Sequence, residues 1–301
     1  MEKIASFIPK IIPKYNFKLN DLAVDLALNS SQEAQSLGFM SRLLIMLNLP
    51  YRDPGNDSKV WVRKNGNVSL ILTPAYNELG KSIGLPYGSY PRLILAYLIT
   101  QAVKTQSPVI FLGKNFRDFL KLLEIVKGGK QYSQLQKQLE RVLSTTFSWT
   151  FKDDQMWSRS NVQVSHKIHL LWDSQLSNQT SLWNSYIKLN TDFFNEIIRS
   201  AVPIDFRILK VFRNTPLGLD LCLFLSWRVF GLDKPVHISW QALKNQLGGQ
   251  YSDTHVFSRD CRKHIKNILA LWPGLNLEFL QGKICLKPTK RRLVSVDKPC
   301  G

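Results

Sequence analysis

The sequence predicts an α+β protein made of two tandem winged-helix domains, each a helix-turn-helix followed by a β-hairpin wing, the second a pseudo-duplicate of the first. Three observations predict it. The order helix, strand, helix, tight turn, helix, hairpin runs twice along the chain. Gly128–Gly129–Lys130–Gln131–Tyr132–Ser133 in the first pass resembles Gly248–Gly249–Gln250–Tyr251–Ser252 in the second, 120 residues on and one residue shorter. The last helix of the second pass carries Arg259, Arg262, Lys263 and Lys266 at i, i+3, i+4 and i+7, opposite an apolar stripe of Phe257, Cys261, Ile265 and Ile268. Such a helix packs by one face and offers four cations on the other, a shape suited to a polyanion groove.

The elements follow in order. Asp21–Leu28 has the period of a short amphipathic helix, and Ser30–Gln32 reads as a loop. Val60 and Val62, then Val68, Leu70 and Leu72, alternate around Asn65–Gly66 as a hairpin does, and Pro74 closes it. A helix runs from Pro91, at its favoured first position, to about Thr105. Pro108–Leu112 is a short strand. Asn115 caps a second helix bearing Phe116, Phe119, Leu120 and Leu123, Gly128–Gly129 breaks it, and Ser133 caps a third helix to about Thr145. The glycine pairs supply positive φ and the serines cap. Phe147–Phe151 and Val162–Leu171 form the first wing. Phe206–Phe212, Leu217–Phe230, a strand at Val236–Ile238, Trp240–Leu247, the basic helix within Ser252–Trp272, and a hairpin of Leu275–Leu280 with Lys283–Leu286 repeat the order. The domains are therefore 37–200, which includes the early hairpin, and 201–289. Residues 1–36 match no known pattern, and 290–301 form a basic tail.

Composition narrows the partners. The 301 residues are 44% hydrophobic and 11% aromatic, enough for one large core or two modest ones. The net charge is +18 and the pI 9.8, with residues 201–301 contributing +9. That field draws nucleic acid or an anionic membrane. Membrane insertion is disfavoured, because the longest apolar run, Leu93–Ile99, is far too short to span a bilayer. Pro9 and Pro13 spoil the N-terminal patch as a signal peptide. Cys222, Cys261, Cys285 and Cys300 lack CxxC or zinc-finger spacing, as expected of reduced thiols in a cytoplasm, and Cys222 and Cys261 read as small core residues.

No enzyme site emerges. There is no P-loop and no Rossmann fingerprint. His166 and His169, three apart on a strand, point to opposite faces, and no His-x-His pair of the kind a nickase needs occurs. Asp153–Asp154 reads as a solvated turn. No cofactor is implied. In the first unit's third helix, Gln134, Lys137, Gln138 and Arg141 occupy the same i, i+3, i+4, i+7 face, either reading bases or facing water. His255 and His264 flank the basic stripe. Lys290, Arg291 and Arg292 either extend a phosphate footprint or form a plain soluble terminus.

One stretch resembles a known family. Gly84–Leu85–Pro86–Tyr87–Gly88–Ser89–Tyr90–Pro91–Arg92–Leu93–Ile94–Leu95–Ala96–Tyr97–Leu98 closely resembles the signature of plasmid-encoded RepA replication initiators. The similarity continues through Ser107–Leu112 and Gly128–Gly129 to a helix ending near Phe147, and with the upstream hairpin it covers roughly residues 38–290. The resemblance implies a theta-type, iteron-binding initiator. Its C-terminal winged helix would be the main reader of direct repeats at a plasmid origin. The N-terminal one would give a second contact in the monomer and an interface in a homodimeric repressor form. A host initiator and a replicative helicase are the implied partners.

On that reading the two third helices enter successive major grooves, about 34 Å apart. Arg259 and Arg262 are candidates for guanine edges, while Lys283, Lys287, Arg291 and Arg292 would hold phosphates. The apolar Leu93–Ile99 helix leaves room for an interface. A transcriptional repressor of the same fold is the alternative, and a relaxase or primase is a distant third.

Overall fold

The computed structural model describes residues 36–55, 57–113, 128–170, 185–229, 231–272 and 274–289, with residues 22, 24–26, 118, 120, 121, 124 and 125 besides. Ser30–Gln32, the cap and most of the helix at Asn115–Leu123, Cys300 and the tail cations Lys290, Arg291 and Arg292 lie outside the described residues. Leu22 and Val24–Leu26 are helical.

The chain is a mixed α/β fold in which every strand pairing is antiparallel. It begins with β1 (Leu37–Ser41) and α1 (Arg42–Met46), then the hairpin β2 (Trp61–Asn65) and β3 (Val68–Thr73), formed where the alternation around Asn65–Gly66 predicts it. Helix α2 (Ser89–Thr105), strand β4 (Val109–Phe111) and helix α3 (Gly129–Ser144) follow, with β5 (Thr146–Lys152), β6 (Trp157–Gln163), β7 (Ser165–His169) and β8 (Tyr186–Leu189) after them. Next come α4 (Thr191–Ser200), β9 (Ala201–Asp205), α5 (Phe206–Phe212) and α6 (Pro216–Arg228). The chain closes with β10 (Val236–Ser239), α7 (Trp240–Leu247), α8 (Thr254–Leu271), β11 (Leu277–Leu280) and β12 (Lys283–Leu286).

The expected first wing is divided between two sheets. β5 and β6 pair with each other and add to the early hairpin, giving the order β2-β3-β5-β6. At Val164 the chain leaves this sheet, and β7 joins another of order β4-β8-β7. The C-terminal sheet has the matching order β10-β12-β11, in which the strand formed last lies between the other two. The topological counterpart of the β11–β12 hairpin is therefore β7–β8, and β5–β6 is an insertion after α3. Val162 and Val164 are both buried, so the apolar alternation continues across the crossing and hides it.

The glycine pairs also act differently from expectation. Gly128 is extended at the N-cap, with φ −174°, and α3 starts at Gly129, so Ser133 lies within the helix instead of capping it. Gly248 ends α7 with φ −86°, and Asp253, not Ser252, caps α8 by accepting from the His255 N–H. No glycine of either pair has positive φ. Close approach explains the second pair, since a Cβ on Gly249 would sit 2.9 Å from the Trp61 ring. The two similar stretches thus hold different positions relative to their helices.

Helix α2 is the axis of the core. Leu93–Ile99 are each no more than 1% exposed, so this run is interior and offers no surface for an interface. Around it pack β1, α3, α4 and α6. Strand β1 pairs with β9 over Leu37↔Asp205 to Ser41↔Ala201, and each of these strands passes directly into a short helix. Cys222, Cys261 and Cys285 are free and buried, and burial pushes the Cys222 thiol up to about 12.

The N- and C-terminal parts are joined by a buried ion pair. Arg92 Nε and an Nη meet the two Asp220 carboxylate oxygens at 2.7 and 2.8 Å, with the side chains 3% and 8% exposed. The remaining guanidinium N–H groups donate to the carbonyls of Leu49, Pro50 and Gly88 at 2.8, 3.3 and 2.6 Å. Every donor of the fork is used. Asp220→Ala is expected to lower the free energy of urea unfolding by about 3–5 kcal/mol, since it strands a buried cation. Arg199→Ala, which breaks an exposed pair with Glu196, should change it by under about 1 kcal/mol.

Candidate nucleic-acid interface

Helix α8 forms because Asp253 caps it and an apolar residue returns every three or four positions. Phe257, Cys261, Ile265, Ile268 and Leu271 are at most 1% exposed and face the core, where α8 packs on α6 and α7. Arg259, Lys263 and Lys266 point outward along one line. Arg259 pairs with Asp260 at 3.1 Å, and neither lysine has an ion-pair partner among the described residues.

Arg262 departs from the stripe. It is half-buried, its guanidinium carbon 4.9 Å from the ring centres of both Trp240 and Phe279. Those rings, from α7 and β11, lie 20° from parallel. Arg262 therefore pins the β11–β12 hairpin to the helical core, and the outward stripe has three cations instead of four. At His264, burial first, then the neighbouring Lys263 cation, lowers the pKa, against a smaller opposing pull from Asp260. Lys283 is half-buried on β12, and Lys287 just beyond it pairs with Glu278.

On α3 only half of the expected polar face reaches solvent. Gln134 and Lys137 are exposed. Gln138 is 4% exposed and its Oε1 accepts from the Tyr87 N–H at 3.0 Å. Arg141 is 1% exposed, donates to the Ile83 and Leu85 carbonyls at 2.7 and 3.1 Å, and lies over the Tyr87 ring. These two side chains hold the loop that leads into α2; Arg141 is enclosed, while Gln138 also borders the hollow beside Gln134 and Lys137. Helical spacing alone could not separate them from Gln134 and Lys137, because the loop they grip is distant in sequence.

Two adjoining hollows, together a trough, lie between the outward residues of α3 and the first turns of α8, and Lys263 and Lys266 line neither. A hollow of about 350 Å³ is lined by Gln134 and Lys137 together with Tyr51, Tyr90, Arg213, Asn214 and Pro216. A second, of about 590 Å³, shares Tyr51, Asn214 and Pro216 and extends to Arg52, Val256 and Arg259, with the carboxylates of Asp253 and Asp260 also on its wall. The α5–α6 turn thus sits midway between the two helices. Three positions in this trough escape sequence reading. Val256 is 38% exposed, one turn before Arg259, and its apolar side chain falls outside the buried stripe; that mismatch was the available signal. Arg213 and Arg52 lie in turns, where no periodicity marks them. Arg213 also donates to Glu124 at 3.3 Å.

Clasps between the chain's two parts set this geometry. Gln250 Oε1 accepts from the Tyr51 and Arg52 N–H groups at 2.8 and 2.7 Å. Asn48 donates to the Leu247 carbonyl at 2.7 Å, and Arg63 to the Asn245 and Gln246 carbonyls. The turn that leads into α8 is therefore held by residues from the N-terminal part.

Fold and surface together define a two-part, antiparallel α/β protein in which two helices border adjoining hollows that hold Lys137, Arg213, Arg52 and Arg259 alongside Asp253 and Asp260. The chain belongs to the family described as plasmid encoded RepA protein, whose model matches residues 85–242, just over half of its length. No curated protein matches the sequence. Among solved structures, a selenomethionine crystal structure of domains 2 and 3 of RctB is similar, with a TM-score of 0.53 and 12% identity over 79% of this chain and 94% of that one. At such identity the likeness shows a shared fold. A second crystal structure of RctB domains 2–3 has a TM-score of 0.46 and 11% identity, over 79% and 95% of the two chains. No helix among the described residues is long and apolar enough to cross a membrane.

Arg262→Ala should lower stability by about 0.5–2 kcal/mol through loss of its stacking contacts. Thermal unfolding in the absence of DNA reads this directly; an unchanged midpoint would show that Arg262 is not a structural pin.

Proposed function

We propose that the chain is a plasmid replication initiator that binds repeated double-stranded sites at its origin through two winged-helix units, residues 37–200 and 201–289. The observation that carries this reading is the shared trough between α3 and α8. In a winged helix the third helix enters the major groove, and the reading is supported by α3 and α8 bordering adjoining hollows that share Tyr51, Asn214 and Pro216. Family membership supports the origin as the target.

Each side chain takes a role from its placement. Arg259 and Gln134 are long and exposed enough to reach base edges. Val256, near the start of α8, is suited to a thymine methyl group. Lys137, Lys263 and Lys266 supply phosphate contacts, and Lys283 on the C-terminal hairpin and Lys287 just after it supply further ones. Arg213, on the turn between the helices, meets the backbone that separates two successive major grooves. Arg262 acts indirectly by fixing the hairpin. No catalysis on DNA is assigned to this chain. Origin opening, recruitment of a host initiator and helicase, a homodimeric form that represses the chain's own promoter, and action in a bacterial cytoplasm complete the reading.

The test is binding of the full chain to the DNA upstream of its gene, followed over a range of salt. Lys263→Ala and Lys266→Ala should each reduce the slope of log affinity against log salt by about 0.9 and weaken all duplexes alike. Arg259→Ala should lose roughly 1–3 kcal/mol of preference for the specific site. Unchanged affinity in all three variants would refute the assignment of α8. Specific binding combined with continued plasmid replication after the reading frame is disrupted would replace an initiator with a repressor.

A further inference from the structure

The outward face of the sheet β4-β8-β7 carries a row of rings unrelated to the trough. In the strand register Phe111 lies opposite Tyr186, and Tyr186 opposite His169. The Phe111 and Tyr186 ring centres are 6.2 Å apart; those of Tyr186 and His169 are 5.4 Å apart, with the planes 22° from parallel. Phe111 is 64% exposed and His169 is exposed as well. On the other face Ile110 is 2% and Ile187 0% exposed, while Ile168 on the edge strand is 39% exposed. Phe111 and His169 therefore stand in solvent, with Tyr186 half-buried between them on the same pleated face.

The adjacent outward row is Val109, Lys188 and Lys167, again in register, and both lysines are exposed. These six outward positions include no carboxylate. Two residues along a strand is roughly 7 Å, so the lysine row runs alongside the row of rings on the same face. A paired base cannot use such a surface, because its faces are covered by its neighbours in the stack. An unpaired strand can, since each of its bases has a free π-face and its phosphates need cations.

We propose that this sheet face is a binding platform for single-stranded DNA, with bases stacked on Phe111, Tyr186 and His169 and the backbone held by Lys167 and Lys188. It is a second nucleic-acid site with a different substrate from the trough. Its residues stand on their own; only its use at an opened origin rests on the duplex-binding reading above. There, a chain bound to duplex repeats would also retain a strand released beside them.

The experiment uses the full chain and labelled oligo-dT, read by fluorescence anisotropy beside a duplex carrying the upstream repeats. The wild type should bind oligo-dT. Phe111→Ala with Tyr186→Ala should weaken that binding roughly tenfold or more, Tyr186→Phe should retain it, and duplex affinity should stay unchanged throughout. Ultraviolet crosslinking of a bromodeoxyuridine oligonucleotide should map to the peptides containing Phe111, Tyr186 or His169, which keeps the proposal testable if the double variant folds poorly. No binding of oligo-dT by the wild type, undiminished binding by the double variant, or crosslinks confined to α8 would each overturn it. Displacement of oligo-dT by an equal charge of polyglutamate would overturn it in favour of an acidic protein partner. Loss of duplex binding with oligo-dT binding intact would count against the trough alone and leave the platform standing.

Discussion

The buried guanidinium of Arg92 is the interaction on which the arrangement of this chain depends. One side chain on α2 meets Asp220 on α6 and the carbonyls of Leu49, Pro50 and Gly88. It thereby joins the core axis of the N-terminal part to the first long helix of the C-terminal part. Burying two charges is expensive, and the cost is offset only if every donor finds an acceptor. That condition is met, so the geometry tolerates little drift. The strap at Asn48–Arg52 lies against this pair and also binds the turn before α8 through Gln250. A constraint deep in the core is carried to the surface that α8 presents.

Arginine and lysine divide the work of a strongly basic chain. Arg92, Arg141 and Arg207 are buried, their planar forks spread over carbonyls and carboxylates; Arg207 holds Asp205 at 2.7 Å and Asp25 at 2.9 Å. Arg262 has its guanidinium carbon 4.9 Å from two ring centres. Lys137, Lys263 and Lys266, compact charges on flexible stems, remain in water. The difference follows from the chemistry of the two heads: guanidinium is weakly hydrated and geometrically matched to several acceptors, whereas ammonium is costly to desolvate. Formal charge therefore overstates the cations available to a polyanion, and the available ones are mostly lysines.

This division explains what was legible in the sequence. Trp240–Leu247, the basic helix and the β11–β12 hairpin lie where periodicity and turn residues place them, and so does the hairpin around Asn65–Gly66. Strand β8 is four residues long, and β1 and β9 pair only with each other across more than half of the chain, so local pattern carries little trace of them. Helix α4 did leave a signal, in the Asn190 cap and in Phe193 and Ile197 one turn apart, both buried. At the candidate site, Arg259, Lys263 and Lys266 were legible because solvent is the default for a charged helical face. Gln138, Arg141 and Arg262 were not, since their partners at Tyr87, Ile83, Leu85, Trp240 and Phe279 come near only after folding. The same holds for the row Phe111, Tyr186 and His169, contributed by three strands.

In the proposed function α3 and α8 are held on one face at a fixed spacing and read a single continuous site. Hydroxyl-radical footprinting of the full chain on its upstream DNA measures this most directly. The account predicts two protected segments on the same face of the duplex, centred about one helical turn apart, with the interval unchanged from one repeat to the next. Protection of one segment only, or two segments whose spacing varies between repeats, would contradict it.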